Sequence, residues 1–202
     1  SGLGSNRTAY VVFGRDDGFA ARFSTASLDG TQGFRIEQSA VDPQHDSHRS
    51  VIVAGAGDVD GDGLADVLVS NTNNGELADQ AASVTFGSSN TSLAVRDAST
   101  QGEDEGLRLA GLRKGRQFAH DVAGGDVNGD GFADVMIGDR NTPGTYDTRG
   151  DSVYVVFGRA ARGAAEIDAN LVDGSDGVLL RGDPDVGNWV ASGGDFNGDD
   201  IQ

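Results

Sequence analysis

Short apolar runs recur along the whole chain, each alternating or β-branched and each bounded by Gly, Asp or Asn. None sustains the 3.6-residue apolar period of a helix. The runs fall into four kinds. "AYVVFG" (9–14), "ASVTFG" (82–87) and "SVYVVFG" (152–158) are aromatic and β-branched, and each is followed by a "GFRIEQ" (33–38), "GLRLAG" (106–111) or "GVLLRG" (177–182) run. "SVIVAG" (50–55), "FAHDVAGG" (118–125) and "WVASGG" (189–194) lead into an acidic loop, and "DVLVS" (66–70) and "DVMIG" (134–138) leave it. The spacing of these features is 68 to 73 residues, so the chain is a repeat. One repeat predicts one four-stranded antiparallel sheet, and the fold class is all-β. Sheets of that kind bury little alone and stack radially, which makes them blades of a β-propeller.

Counting strands divides the chain into parts of one partial propeller. Residues 1–49 supply a half blade (third and fourth strands), 50–111 a full blade, 112–182 a second full blade, and 183–202 a first strand with its acidic loop. The two halves are complementary. Because a three-bladed ring is too tight for the strand twist, an arc with open edges is expected, prone to self-association through them.

Composition narrows the class of partner. The 32 glycines follow no triplet period and fall between the apolar runs, where turns need them. Formal net charge is −17, from 32 acidic against 15 basic residues. Such a field repels nucleic acid and anionic lipid, and it attracts cations. No run approaches the roughly 20 apolar residues of a membrane span, and the N-terminal residues do not read as a secretory leader. Cysteine is absent, which excludes disulfides and thiolate chemistry.

The acidic loops carry the chemistry. Loop positions 1, 3, 5 and 9 are Asp58, Asp60, Asp62 and Asp66 in the first copy and Asp126, Asn128, Asp130 and Asp134 in the second. The third copy offers Asp195, Asn197 and Asp199 and is partial, since its ninth position lies beyond Gln202. Oxygen donors alone select a hard cation. Gly63 and Gly131 stand at position 6, where the loop must turn, and Asp200 replaces that glycine in the third loop. At position 7, Leu64, Phe132 and Ile201 would each offer a backbone carbonyl while the side chain turns towards the core. With water, such a set reaches the six to eight oxygens of calcium. Two carboxylates about 5 Å apart repel by roughly 3 kcal/mol at an effective dielectric near 20, so four in one loop call for a cation. The loop differs from an EF-hand: strands flank it, and Val69 or Ile137 stands where the twelfth-position Glu belongs. The reading is two complete calcium sites and one partial one.

"GDVNGDGFAD", an apolar strand and then "VYVVFG" resemble the FG-GAP repeats of the integrin α-subunit propeller and its bacterial relatives. The likeness spans nearly the whole chain. It implies a propeller, commonly seven-bladed, with calcium in the loop joining the first two strands of a blade. The sequence departs from that pattern at Phe118-Ala119, where Phe-Gly is expected, and at "SNT" (70–72) and "GDR" (138–140), where Gly-Ala-Pro is expected.

No catalytic constellation emerges. His45, His48 and His120 do not cluster with each other or with a serine nucleophile, and the carboxylates are accounted for as metal ligands. Arg149-Gly150-Asp151 spells a tripeptide that integrins recognise, but it falls at an expected turn and recurs as Arg181-Gly182-Asp183, which favours composition. Trp189 is expected in the core of the last first strand. The expected function is a non-catalytic, extracellular or cell-surface scaffold for adhesion or for a protein or glycan ligand. A lectin-like propeller and an accessory domain of a secreted hydrolase or polysaccharide lyase are the alternatives.

Overall fold

The computed structural model describes residues 7–16, 18–38, 50–72, 81–90, 92–110, 116–141, 151–160, 166–182, 186–195, 197–198 and 201. In chain order the strands are β1 (Arg7–Val12), β2 (Gly33–Gln38), β3 (Ser50–Gly57), β4 (Asp66–Thr72), β5 (Ala81–Thr85) and β6 (Val95–Asp97). They continue as β7 (Gly106–Ala110), β8 (Arg116–Gly125), β9 (Asp134–Asn141), β10 (Ser152–Val156), β11 (Glu166–Asp168) and β12 (Gly177–Arg181). The fold is all-β. Among the described residues the only helical turns are 3-10, at Thr25–Ser27 and Ala169–Leu171, and no helix is long and apolar enough to cross a membrane.

Three sheets form, in the orders β1-β2-β6, β11-β7-β5-β4-β3 and β12-β10-β9-β8. In the second and third sheets, the four strand types pair antiparallel in sequence order, first with second, second with third, third with fourth. All five residues of β5 and of β10 are buried, because these strands lie inside their sheets with both faces covered. Period-two alternation sends one set of side chains to each face. Leu68, Val84 and Leu109 meet Phe118, Val135, Ile137 and Tyr154 between the second and third sheets. Val69 meets Ala9, Phe34 and Ile36 between the first and second. Phe118 and Tyr154 touch edge to face at 5.6 Å, a geometry their ring quadrupoles favour.

The sheets are not purely antiparallel. β6 and β11 lie between a third and a fourth strand in sequence, yet each pairs parallel with the fourth strand of the preceding sheet, β6 with β2 and β11 with β7. Each strap covers an edge that would otherwise present open backbone groups, and the Arg108–Glu166 ion pair fastens the second strap.

The predicted first strand at 189–194 does not form, and Trp189 is not a core residue: it is 84% exposed. No second strand lies beside this segment among the described residues. It is held by backbone approach and side chains instead. A methyl at Gly138 would collide with the Gly187 carbonyl, Val190 N–H donates to Asp121 Oδ2 at 2.8 Å, and the Trp189 ring lies 6.3 Å from that of His120.

Candidate metal centre

Asp66 and Asp134 open β4 and β9, and both are buried. Each uses both carboxylate oxygens to close its loop. Asp66 Oδ2 accepts from Val59 N–H at 2.7 Å and Oδ1 from Gly87 N–H at 2.7 Å. Asp134 does the same with Val127 at 2.9 Å and Gly158 at 3.0 Å. The glycine of the recurring Phe-Gly pair, at 87 and 158, therefore sits against the loop. A side chain there would run into Leu64 Cβ and Ala65 O, or into Ala133 O, Phe132 Cβ and Val59 O.

The opening aspartates organise the turn. Asp58 Oδ1 accepts from the N–H groups of Gly61 (2.7 Å) and Asp62 (3.0 Å), and Oδ2 from Gly63 (2.9 Å). Asp126 repeats this with Gly129, Asp130 and Gly131. In the third loop Asp195 Oδ1 accepts from Asn197 and Gly198. Gly63 and Gly131 take positive φ of 86° and 90°, as the turn required. Position 4 needs the same freedom: Gly61, Gly129 and Gly198 have φ of 74°, 76° and 78°. The recurring Gly at that position was the available signal.

Carboxylate oxygens of Asp58, Asp60 and Asp66 lie within 4.8 Å of one another, with Asp60 and Asp66 buried. The triad could hold a metal ion. Asp62 lies outside it, exposed, its Oδ1 accepting from Leu64 N–H at 2.8 Å. In the second loop Asn128 replaces the middle carboxylate: its Nδ2 donates to Asp130 Oδ2 and its Oδ1 accepts from Asp130 N–H, both at 2.9 Å. Asp199 and Asp200 of the third loop lie outside the described residues. Burial raises the Asp66 pKa from 3.8 to about 6; the bonds from Gly87 and Val59 oppose the shift, and the charges of Asp60 and Asp58 add to it. Asp134 is raised for the same leading reason, with Asp130 and Asp126 as the charges nearby. The donors fit a hard cation, since all are oxygens.

The position-7 side chains do not turn into the core of their own sheet. The Phe132 ring covers Gly61 of the preceding loop, and Ile201 covers Gly129. Leu64, with no described loop before its own, is 39% exposed.

The other sequence features bring little together. His45, His48, Arg149, Gly150 and Asp183 lie outside the described residues, and Asp151 is buried. His120 approaches Arg140 Nη1 at 3.4 Å and the Asn188 carbonyl at 3.3 Å, and among the described residues no serine hydroxyl meets either nitrogen. No family model and no curated protein matches the chain.

Proposed function

We propose that the protein is a calcium-stabilised segment of an FG-GAP-type β-propeller, acting outside the cell or at its surface as a non-catalytic scaffold for adhesion or ligand binding. The observation that carries this reading is the carboxylate triad Asp58, Asp60 and Asp66, two of the three buried, in the loop between the first and second strands of a four-strand meander. The matching arrangement of Asp126 and Asp134 in the next sheet supports it. Sheets packed face to face through two cores fit blades of a propeller. Calcium ranks above magnesium because magnesium demands a tight octahedron and keeps more of its water, whereas calcium accepts six to eight oxygens in flexible geometry. Sites of modest affinity fill where calcium is plentiful, which is the extracellular side.

The test is thermal melting with and without chelator. Calcium should restore a melting temperature that chelation lowers by several degrees, and equimolar magnesium should restore far less, through linkage of binding to folding. An identical melt for metal-free and calcium-treated protein removes the proposal. Asp130→Ala should bind about one calcium fewer than the parent by calorimetric titration; equal stoichiometry would mean the ligand assignment of the second loop is wrong.

A saccharide-binding role is the second reading. Trp189, exposed and edge-on to His120 with Arg140 beside it, is the observation that favours it. A glycan array probed with the parent and with Trp189→Ala decides between ligand classes.

A further inference from the structure

Residues 132 and 133 belong to the second loop, yet they touch the first loop in three ways. Ala133 N–H donates to the Asp58 carbonyl at 2.8 Å, and the Ala133 methyl abuts Gly57. The Phe132 ring covers Gly61 so closely that a methyl there would overlap Cε1 and Cδ1. Within its own loop, Phe132 N–H donates to Asp130 Oδ1 at 2.9 Å. Gly158, which clamps Asp134, is followed by Arg159, whose N–H donates to the Val59 carbonyl at 3.0 Å. The pattern recurs one repeat later, where Ile201 Cδ1 and Cγ1 pack on Gly129.

We propose that each loop is held in shape by the one after it, so that the acidic loops take up their ions cooperatively, with Phe132 and Ile201 as positioning residues. This rests on the metal reading of the loops. Any ion that fixes Asp126 and Asp130 also fixes the backbone at 132–133. The Phe132 ring then stays over Gly61 and the Ala133 N–H holds the Asp58 carbonyl, so the first loop loses less freedom when its own ion arrives. A network with two arrangements shared by two sites is what thermodynamic coupling needs. Loops that were merely adjacent would share neither a covering side chain nor a backbone bond at the ligand residue.

The amides of Gly61 and Gly129 donate to the opening aspartates at 2.7 Å, one in each loop, so they report occupancy site by site in a 1H–15N NMR titration with calcium. Phe132→Ala keeps every side-chain ligand of the second loop. It should raise the Gly61 midpoint about tenfold, within the usual range of coupling, and by reciprocity the Gly129 midpoint by no more than that. Phe132→Leu should restore the Gly61 midpoint. Ile201, 37% exposed, provides a milder variant: Ile201→Ala should shift Gly129 first. By reciprocity, Asp130→Asn, which weakens the second loop and keeps the ring, should also raise the Gly61 midpoint. An unmoved Gly61 midpoint in both Phe132→Ala and Asp130→Asn overturns the coupling while calcium binding stands. Midpoint shifts in Phe132→Ala that Phe132→Leu does not restore overturn it as general loosening. If neither amide responds to calcium in the parent, the metal reading falls and the coupling with it.

Discussion

Asp66 shows what burial does to a carboxylate. Its carboxyl is held near a pKa of about 6 against 3.8 in an unfolded chain, so the metal-free fold binds a proton that the unfolded chain has released. Between these values, stability falls as pH rises, since the native state holds more protons. In excess chelator, the melting temperature should therefore rise on going from pH 7 to pH 5. With calcium present the sign reverses, because protons then displace the ion. Asp66→Asn should flatten the chelator curve; an unchanged slope would mean that other carboxylates set it. A second residue-scale test concerns Ala119, the only described residue other than glycine with positive φ, at 57° and fully buried. It stands where the sequence resemblance led one to expect glycine. Ala119→Gly loses a buried methyl, about 0.8 kcal/mol, and relieves roughly 1–2 kcal/mol of left-handed strain, partly offset by the entropy glycine adds to the unfolded chain. The two effects should nearly cancel. Ala82→Gly, equally buried on a regular strand, has no strain to release and should cost about 1–2 kcal/mol in urea unfolding.

At the scale of elements, the strands that could be read from sequence were those whose pattern runs five residues or more. The "VYVVFG" and "GLRLAG" types, and the first and second strands of the two inner repeats, all appear with the expected partners. β6 and β11 escaped notice because three residues carry no period, and because their partner belongs to the preceding repeat. The run at 189–194 failed for the opposite reason: its local pattern is sound, but a strand exists only with a neighbour. The clustering of Asp58, Asp60 and Asp66 was legible because residue type and spacing bring those carboxylates into one loop. Which neighbour each loop leans on was not, since it depends on how sheets stack. The Phe-Gly pair gives a direct test of that stacking. Gly158→Ala would drive a methyl into Ala133 O, Phe132 Cβ and Val59 O, so it should cost about 2–3 kcal/mol as an overpacking change. Gly14→Ala, the same motif position in the first copy, meets nothing within 4 Å and should stay within about 0.5 kcal/mol. Equal costs at the two sites would show that the motif serves each strand rather than the junction between loops.

For the whole molecule, the question is what covers the outer faces of the row of sheets. On β1, Ala9 and Val11 point to the second sheet, which leaves Tyr10 and Val12 facing outward at 49% and 41% exposed. On β12, Leu179 joins the core against the second sheet, and Val178 and Leu180 face outward at 40% and 51%. A stack with exposed apolar side chains at each end, Tyr10 and Val12 beside the Arg35–Glu37 ion pair at one and Val178 and Leu180 at the other, can meet a second copy of itself head to tail. Four side chains, each already half-buried, gain about 1 kcal/mol apiece on full burial. Association costs at least about 4 kcal/mol in lost freedom, so these residues alone give a weak complex. A net charge of −17 opposes it further, and salt screens that repulsion. Sedimentation velocity should accordingly show a monomer at low micromolar concentration and low ionic strength. Larger species should grow in with both protein and sodium chloride. Leu180→Asp places a charge in the middle of one face and should suppress them without lowering the melting temperature by more than a degree or two, since the position is already half-exposed. A single sedimenting species across the whole concentration range at 0.5 M salt would exclude this head-to-tail contact.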